Sequence, residues 1–331
     1  MLALIGCLLV GGAVYAEDSI TPPAMTYQVS PNFSASQVED TSNFYDMLLH
    51  ADQTETFGLT IQNLSEKEQT FKIGVNTATT NRNGIVDYTQ EKVTAAPKMH
   101  VSIKNLIKAD TYKLTIHGKG SQTVHFKLEM PSEPFAGILL GGITVQSLTS
   151  SVDAKGIKNT FMQTIAVRLR ENQQTVAAKL TADKATIGQE NKHNYVTMWL
   201  ENPQPKLMTQ LQGEFSITKK GTTHPIIHEK KKNLSFAPNS RFQLPLELKT
   251  QFEPGQYVYT IHLKNQEGQW TFAKEFVIKN AQAKKYNANS VDQRSNKKRN
   301  WWIYLLIIGL IVLLCSLSYF WGKKKVNNKQ E

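Results

Sequence analysis

Short segments in which apolar and polar residues alternate recur between residues 56 and 278, and they constrain the fold more than any other feature. The segment Tyr195-Val-Thr-Met-Trp-Leu200 is typical, and polar turn residues separate it from its neighbours. A period of two places one face of a strand in a core and the other in solvent. Many short strands at this spacing predict an all-β fold built from β-sandwiches.

Between the apolar stretch at the N-terminus and residue 280 lie about 260 residues, which is enough for two such domains. A Ser/Thr/Gly-rich stretch at Leu148–Gly156 predicts the boundary, with one sandwich over 17–149 and a second over 150–280. Strands ending in Asn63 and Asn202, which are 139 residues apart in the sequence, indicate a weak internal duplication. Because Asn is common in turns, chance stays an alternative explanation.

Residues 301–321 form an apolar stretch without a single charge. As a helix they would span roughly 31 Å, which is the thickness of a bilayer core, and tryptophans stand at both ends, where headgroups hold aromatic rings. We therefore predict one C-terminal transmembrane helix over 301–321. The polar stretch 281–300 before it is predicted to be a linker, and residues 322–331 a cytoplasmic tail.

The N-terminal residues 1–16 are apolar and uncharged, and Val14-Tyr15-Ala16 resembles a signal-peptidase site. Cleavage there predicts a single-pass type I protein of the cell membrane, with the ectodomain outside in or under the cell wall. Leu4-Ile5-Gly6-Cys7 leaves lipidation of Cys7 open, and the true start codon is open too. The two cysteines, Cys7 and Cys315, leave the predicted ectodomain without any, which favours a Gram-positive bacterium over a disulfide-rich eukaryotic secretory protein.

The formal net charge of +11 lies mainly beside the predicted membrane helix. Residues 281–331 hold ten Lys/Arg and two Asp/Glu, a net of +8, and residues 1–280 hold the remaining +3. Such a distribution fits attraction to anionic lipids or to an anionic wall. It excludes the basic face that nucleic-acid binding requires.

Motifs for enzymatic chemistry are absent from the sequence. There is no Gly-x-Ser-x-Gly, no phosphate-binding loop and no cysteine nucleophile in the predicted ectodomain, so we predict no catalytic activity and no cofactor. Carboxylates from distant strands could still converge, which leaves a wall hydrolase open. His224 and His228 have the spacing of a helical metal pair, but Pro225 between them indicates a loop, and we predict no metal site.

The segment Thr80–Tyr88 has the composition of a polar hairpin tip, and it offers candidate binding residues. Asn83-Gly84 supplies the positive φ values of a tight turn. In one interpretation Asn83 and Asp87 only build the turn. In the other, the tip presents Asn81, Asn83, Asp87 and Tyr88 to a sugar or a protein.

Several segments together resemble the WxL-interacting proteins, which are surface proteins of low-GC Gram-positive bacteria. The segments of the first half are Phe57–Asn63, Asn81–Tyr88 and Met130–Gly142, and those of the second half are Gly156–Asn159, Ala237–Ser240, Pro254–Tyr257 and Trp270–Phe276. The C-terminal apolar stretch followed by lysines is similar to the family's layout too.

The resemblance implies two immunoglobulin-like domains without enzymatic activity. The first would bind peptidoglycan, and the second would bind WxL-type surface proteins or host extracellular matrix proteins. Asn239 and Trp270, which lie in matching segments, join the candidate binding residues. An extracytoplasmic assembly chaperone for secreted surface subunits stays open as the alternative function.

Overall fold

The fold was taken from a computed structural model, which describes residues 25–38, 43–93, 96, 101–149, 151–152, 158–292, 308–313 and 316. These residues form a mostly β structure with two hydrophobic cores. The predicted all-β class is therefore confirmed. The predicted signal peptide, the tail and residues 293–300 of the predicted linker lie outside the described residues.

The predicted membrane helix is described only in part. Residues 308–313 and 316 are helical, and the remainder of 301–321 lies outside the described residues. Across the part of the chain that the structure describes, no helix is both long enough and apolar enough to cross a bilayer.

The first sandwich consists of short strands with one four-residue helix. In chain order its elements are β1 (Tyr27–Asn32), β2 (Tyr45–Leu48), β3 (Thr54–Asn63), β4 (Gln69–Thr77), β5 (Thr79–Thr80), β6 (Val86–Asp87), α1 (Ile103–Leu106), β7 (Ile107–Ala109), β8 (Lys113–Ile116), β9 (Ser121–Glu129), β10 (Leu139–Ser147), β11 (Ser151–Val152), β12 (Lys158–Asn159) and β13 (Met162–Arg170).

Two sheets enclose the first core. One has the order β1-β3-β9-β7, and the other has the order β2-β13-β10-β4-β8. Alternating residues such as Phe57 and Leu59 on β3, and Phe126 and Leu128 on β9, point inward and are almost fully buried. The alternation in the sequence is thus the cause of the two-layer packing.

Strand β13 lies beyond the predicted domain boundary but pairs within the first sandwich. It follows residue 150 in the sequence, yet it pairs antiparallel with β10 and parallel with β2 inside the first sandwich. Its Val167 and Leu169 are fully buried in the first core. The last strand of the first sandwich therefore ends at Arg170, and the boundary near residue 150 stays a prediction.

The second sandwich is built from longer strands. In chain order its elements are β14 (Thr181–Glu190), β15 (His193–Asn202), β16 (Met208–Lys219), β17 (Pro225–Phe236), β18 (Ser240–Glu247), β19 (Gly255–Asn265), β20 (Gly268–Ile278) and α2 (Asn280–Asn289). The sheets β14-β15-β18 and β17-β16-β19-β20 cover a core that includes Met198, Phe215, Leu244 and Tyr259.

Helix α2 covers the first residues of the predicted linker over 281–300. The segment lacks an apolar period, but Ala283 is buried in the second core, and the ring centroid of Tyr286 lies 5.7 Å from that of Phe252. The helix is docked by these two apolar contacts and by a hydrogen bond. The Phe252 backbone N–H donates to the Asn287 side-chain oxygen at 2.8 Å. Sequence periodicity alone does not detect so short a docked face.

Asn63 and Asn202 have the same structural role in the two sandwiches. Both are fully buried at a strand end. The Asn63 side-chain amide donates to the Lys67 carbonyl at 2.8 Å, and that of Asn202 donates to the Lys206 carbonyl at 2.7 Å. Each side chain thus satisfies the carbonyl four residues onward, which supports the predicted duplication.

Candidate functional site

The predicted hairpin forms, and its tip is stabilised by one of the candidate binding residues. Strands β5 and β6 pair, and the Asn81 side-chain oxygen accepts hydrogen bonds from the backbone N–H groups of Asn83 at 2.9 Å and Ile85 at 3.1 Å. Gly84 has a φ of +74°, which glycine adopts without strain. The Asn81 oxygen therefore builds the turn.

Asp87 stabilises the chain just after the hairpin. Its carboxylate accepts hydrogen bonds from the backbone N–H of Thr89 at 2.8 Å, from the Thr89 hydroxyl at 2.7 Å and from the side-chain amide of Gln90 at 2.9 Å. Burial raises the pKa of Asp87, but the hydrogen bonds from Thr89 and Gln90 outweigh it, so that the pKa lies below its usual range.

The charge of Asp87 is expected to stabilise the hairpin only while the carboxylate is ionised. A depressed folded-state pKa gives a stabilisation that is complete above the unfolded pKa of about 3.9 and is lost as the pH falls through the folded pKa. We expect Asp87→Asn to lower the free energy of unfolding by about 1 kcal/mol near neutral pH. Urea unfolding measured near neutral pH and again at about pH 3 tests this, and an equal loss at both would contradict it.

Tyr88 is half-buried and packs against an apolar cluster formed by Ala78, Leu140 and Ala237. A side chain on Gly142 would approach the Tyr88 Cβ within 2.7 Å, and the Tyr88 carbonyl accepts a hydrogen bond from the Asn76 side-chain amide at 3.0 Å. Burial raises the pKa of the Tyr88 phenol. The residue is thus tied to the first sandwich.

The hairpin tip docks on the second sandwich. The backbone N–H of Ser235 donates to the Gly84 carbonyl at 2.8 Å, and a Cβ on Gly84 would lie 2.8 Å from Leu234 Cδ2. One strand earlier, the Thr80 hydroxyl accepts a hydrogen bond from the N–H of Ala237 at 2.9 Å. These contacts bring the hairpin so close to the second sandwich that a side chain on Gly84 would push the two sandwiches apart.

Other contacts extend this joint on either side of the hairpin. Asn239 has a φ of +48°, and its backbone carbonyl accepts a hydrogen bond from the Ala96 N–H at 3.0 Å. This candidate residue therefore lies in the joint. The N–H of Ile138 donates to the Pro205 carbonyl at 2.8 Å. Apolar Ala78, Leu140 and Ala237 form a small buried cluster between the two cores.

A cleft of about 730 Å³ opens beside the joint, between the hairpin and the outer face of the β14-β15-β18 sheet. Trp199 on β15 and Arg241 on β18 line it, and the Arg241 guanidinium lies 4.8 Å from the centroid of the Trp199 ring. Arg82 of the hairpin donates to the Gln243 side chain at 2.8 Å and pairs with Glu190 at 3.0 Å.

The cleft gathers three of the six predicted binding residues. Asn81, Asn83 and Asp87 line it, whereas Tyr88, Asn239 and Trp270 are not among its lining residues. Trp270 lies on β20 opposite Leu263 and packs against the second core. The candidate site is therefore made by both sandwiches and not by either alone.

The alternation of buried and exposed residues along β15 is a sequence signal for the aromatic wall of the cleft, although neither Tyr195 nor Trp199 was among the predicted binding residues. In Tyr195–Leu200 the even-numbered positions Val196, Met198 and Leu200 are buried. Tyr195 and Trp199 therefore face outward on the same side of β15, and both line the cleft. A large aromatic on the solvent face of a strand is a feature that binding surfaces share.

Comparisons with solved structures find only distant similarity. The chain is similar to the YadV chaperone (12% identity, 77% of this chain and 100% of that one, TM-score 0.31), to the CupB2 chaperone of Pseudomonas aeruginosa (12%, 67% and 91%, 0.27) and to the E. coli chaperone DraB (12%, 76% and 96%, 0.27). These TM-scores are too low to establish a shared fold. No curated protein matches the chain.

Family models match most of the chain. Residues 27–147 match the peptidoglycan binding domain of the WxL Interacting Protein, and residues 153–288 match its host binding domain. The second match includes β13, which the structure places in the first sandwich. The two matches stand in the order that the resemblance implied, and the chain belongs to the WxL-interacting protein family.

Proposed function

We propose that this protein is a non-enzymatic cell-surface scaffold whose interdomain cleft binds peptidoglycan. The family of the first domain supports a wall ligand. The observation that carries the proposal is the pairing of the outward-facing Trp199 indole with the Arg241 guanidinium in a cleft of about 730 Å³. The second domain then binds a WxL-type surface protein or a host matrix protein, as the family description of 153–288 implies.

The chemistry of the cleft suits a ligand made of sugars and peptides. Sugar rings present C–H faces to aromatic rings such as that of Trp199, and their hydroxyls pair with polar side chains such as Asn83 and Gln243. The carboxylates of wall peptides would pair with Arg82 or Arg241, which offer planar forks of donors. Glu229, which also lines the cleft, would meet the amino groups of the same peptides.

We expect Trp199→Ala to weaken binding to the wall by about 10-fold or more, since aromatic contacts at the centre of a site dominate affinity. The measurement is co-sedimentation of residues 25–292 with purified sacculi, with high-salt washes to remove non-specific adsorption. Trp270→Ala is the matched control, because this tryptophan is also half-buried on a strand but does not line the cleft.

Equal loss of pelleting in both tryptophan variants would point to unfolding or to a different surface, and would contradict the cleft. Unchanged pelleting of a folded Trp199→Ala protein would contradict it as well. A one-to-one soluble complex with a secreted subunit, without wall affinity, would instead favour the assembly chaperone. Shortened glycan or released peptide would reveal a hydrolase.

The proposed setting is the outer face of a Gram-positive cell membrane. The signal peptide over 1–16 and the apolar stretch over 301–321 support a single-pass, type I anchor. We also retain the immunoglobulin-like classification of both sandwiches as a proposal, on the basis of two facing sheets around each core. The scaffold would then hold its partners close to the membrane.

A further inference from the structure

Three ionisable side chains from separate parts of the second domain converge at one point. His193 begins β15, Glu247 ends β18, and Asp292 follows α2. The Nδ1 atom of His193 lies 2.9 Å from an Asp292 carboxylate oxygen and 3.3 Å from a Glu247 carboxylate oxygen. Candidate ligand atoms of the three residues all lie within 4.8 Å of one another.

The two carboxylates of this cluster share one imidazole nitrogen. One imidazole nitrogen can donate one hydrogen bond, yet two carboxylates approach His193 Nδ1. The side chains of Glu247 and Asp292 are only 30% and 12% exposed, so water screens their repulsion incompletely.

Two of the three donor–donor distances match those of a metal coordination shell. Zinc binds imidazole nitrogen and carboxylate oxygen at about 2.0–2.2 Å, so neighbouring ligand atoms on a zinc ion stand roughly 3.0–3.5 Å apart for bond angles between 90° and 109°. The two distances from His193 Nδ1 have this size. The other Asp292 oxygen accepts from the Asn194 N–H at 3.4 Å, which orients the carboxylate as supporting hydrogen bonds do in metal sites.

We propose that His193, Glu247 and Asp292 bind a zinc ion that fixes the end of helix α2 to the second sandwich. A mixed set of one imidazole and two carboxylates suits zinc better than calcium or magnesium, which prefer oxygen ligands alone. Because Asp292 directly precedes the chain that leads to the apolar C-terminal stretch, the ion would tie that chain to the domain. The cluster was not foreseen in the sequence, since its members are separated by 54 and 45 residues.

Calorimetric titration of the chelator-treated full-length protein in mild detergent with zinc chloride tests the site. We expect one zinc per chain, and a folded-to-unfolded ratio about 100-fold higher when free zinc is 100 times the Kd. His193→Ala and Asp292→Asn should each abolish binding. His228→Ala is the matched control, because His228 also stands near a carboxylate, that of Glu214 at 3.8 Å, but outside the cluster.

Either of two results would overturn the site. The wild-type protein could bind no zinc in the micromolar range, or it could bind zinc equally well after His193→Ala. The tether is tested by hydrogen exchange at Val291, whose N–H donates to the Lys192 carbonyl at 3.1 Å. We expect zinc to slow exchange there at least 10-fold, and zinc binding with unchanged exchange would overturn the tether.

Discussion

Replacing Gly84 by valine is expected to lower the free energy of unfolding by about 4 kcal/mol and to separate the two sandwiches. The residue has a φ of +74°, and its Cβ would lie 2.8 Å from Leu234 Cδ2, which is buried in the second core. A left-handed conformation costs a non-glycine residue about 1–2 kcal/mol. Overfilling a packed site adds about 1–3 kcal/mol.

Gly221 supplies a matched control for this variant. It has a φ of +85°, but nothing lies within 4 Å of the position of its Cβ. Gly221→Val should therefore carry only the backbone cost of about 1–2 kcal/mol. Urea unfolding compares the two losses, and small-angle scattering should show a larger radius for Gly84→Val alone. Equal losses, or an unchanged radius in Gly84→Val, would show that the hairpin does not hold the sandwiches together.

Local patterns in the sequence predicted the features that local interactions determine. Alternation in Tyr195–Leu200 predicted a strand with one buried face, and Asn83-Gly84 predicted the turn between β5 and β6, because a positive φ is a property of one or two residues. The sequence indicated a weak duplication of Asn63 and Asn202 and left chance open, and the structure adds that each side chain bonds the carbonyl four residues onward.

Features that depend on distant pairing were beyond the sequence. The residues of Met162–Arg170 do not identify which strands pair with β13. The structure pairs it with β10 and β2, whereas its sequence pattern would suit pairing with the strands that follow it equally well. Helix α2 is docked by Phe252, which is 34 residues away from Tyr286. The cleft exists because the joint brings the two sandwiches together. Each wall could be predicted from its local sequence, but the position of one wall relative to the other could not.

Replacing Asp46 by alanine is expected to lower the free energy of unfolding by about 3–5 kcal/mol. The Asp46 side chain is fully buried. It accepts a hydrogen bond from Arg168 Nε at 2.9 Å and one from an Arg170 terminal nitrogen at 2.7 Å. Removing one partner of a buried ion pair leaves the remaining charge uncompensated, which costs far more than an exposed pair contributes.

The exposed pair of Asp183 with Arg241, 2.8 Å apart with the Asp183 side chain 55% exposed, is the matched control. Asp183→Ala should change the free energy of unfolding by less than about 1 kcal/mol, and urea unfolding of both variants provides the comparison. A loss below about 1 kcal/mol for Asp46→Ala would contradict the prediction.

The reason for so large an effect lies in the topology. Both arginines belong to β13, and Asp46 holds that strand parallel to β2, where no short loop connects the two. The chain then passes directly from Arg170 to the second sandwich. Asp46→Ala should therefore loosen the joint as well as the first core, so that wall binding in the cleft falls together with stability. A variant that loses stability but retains wall binding would place the ligand on the first sandwich alone.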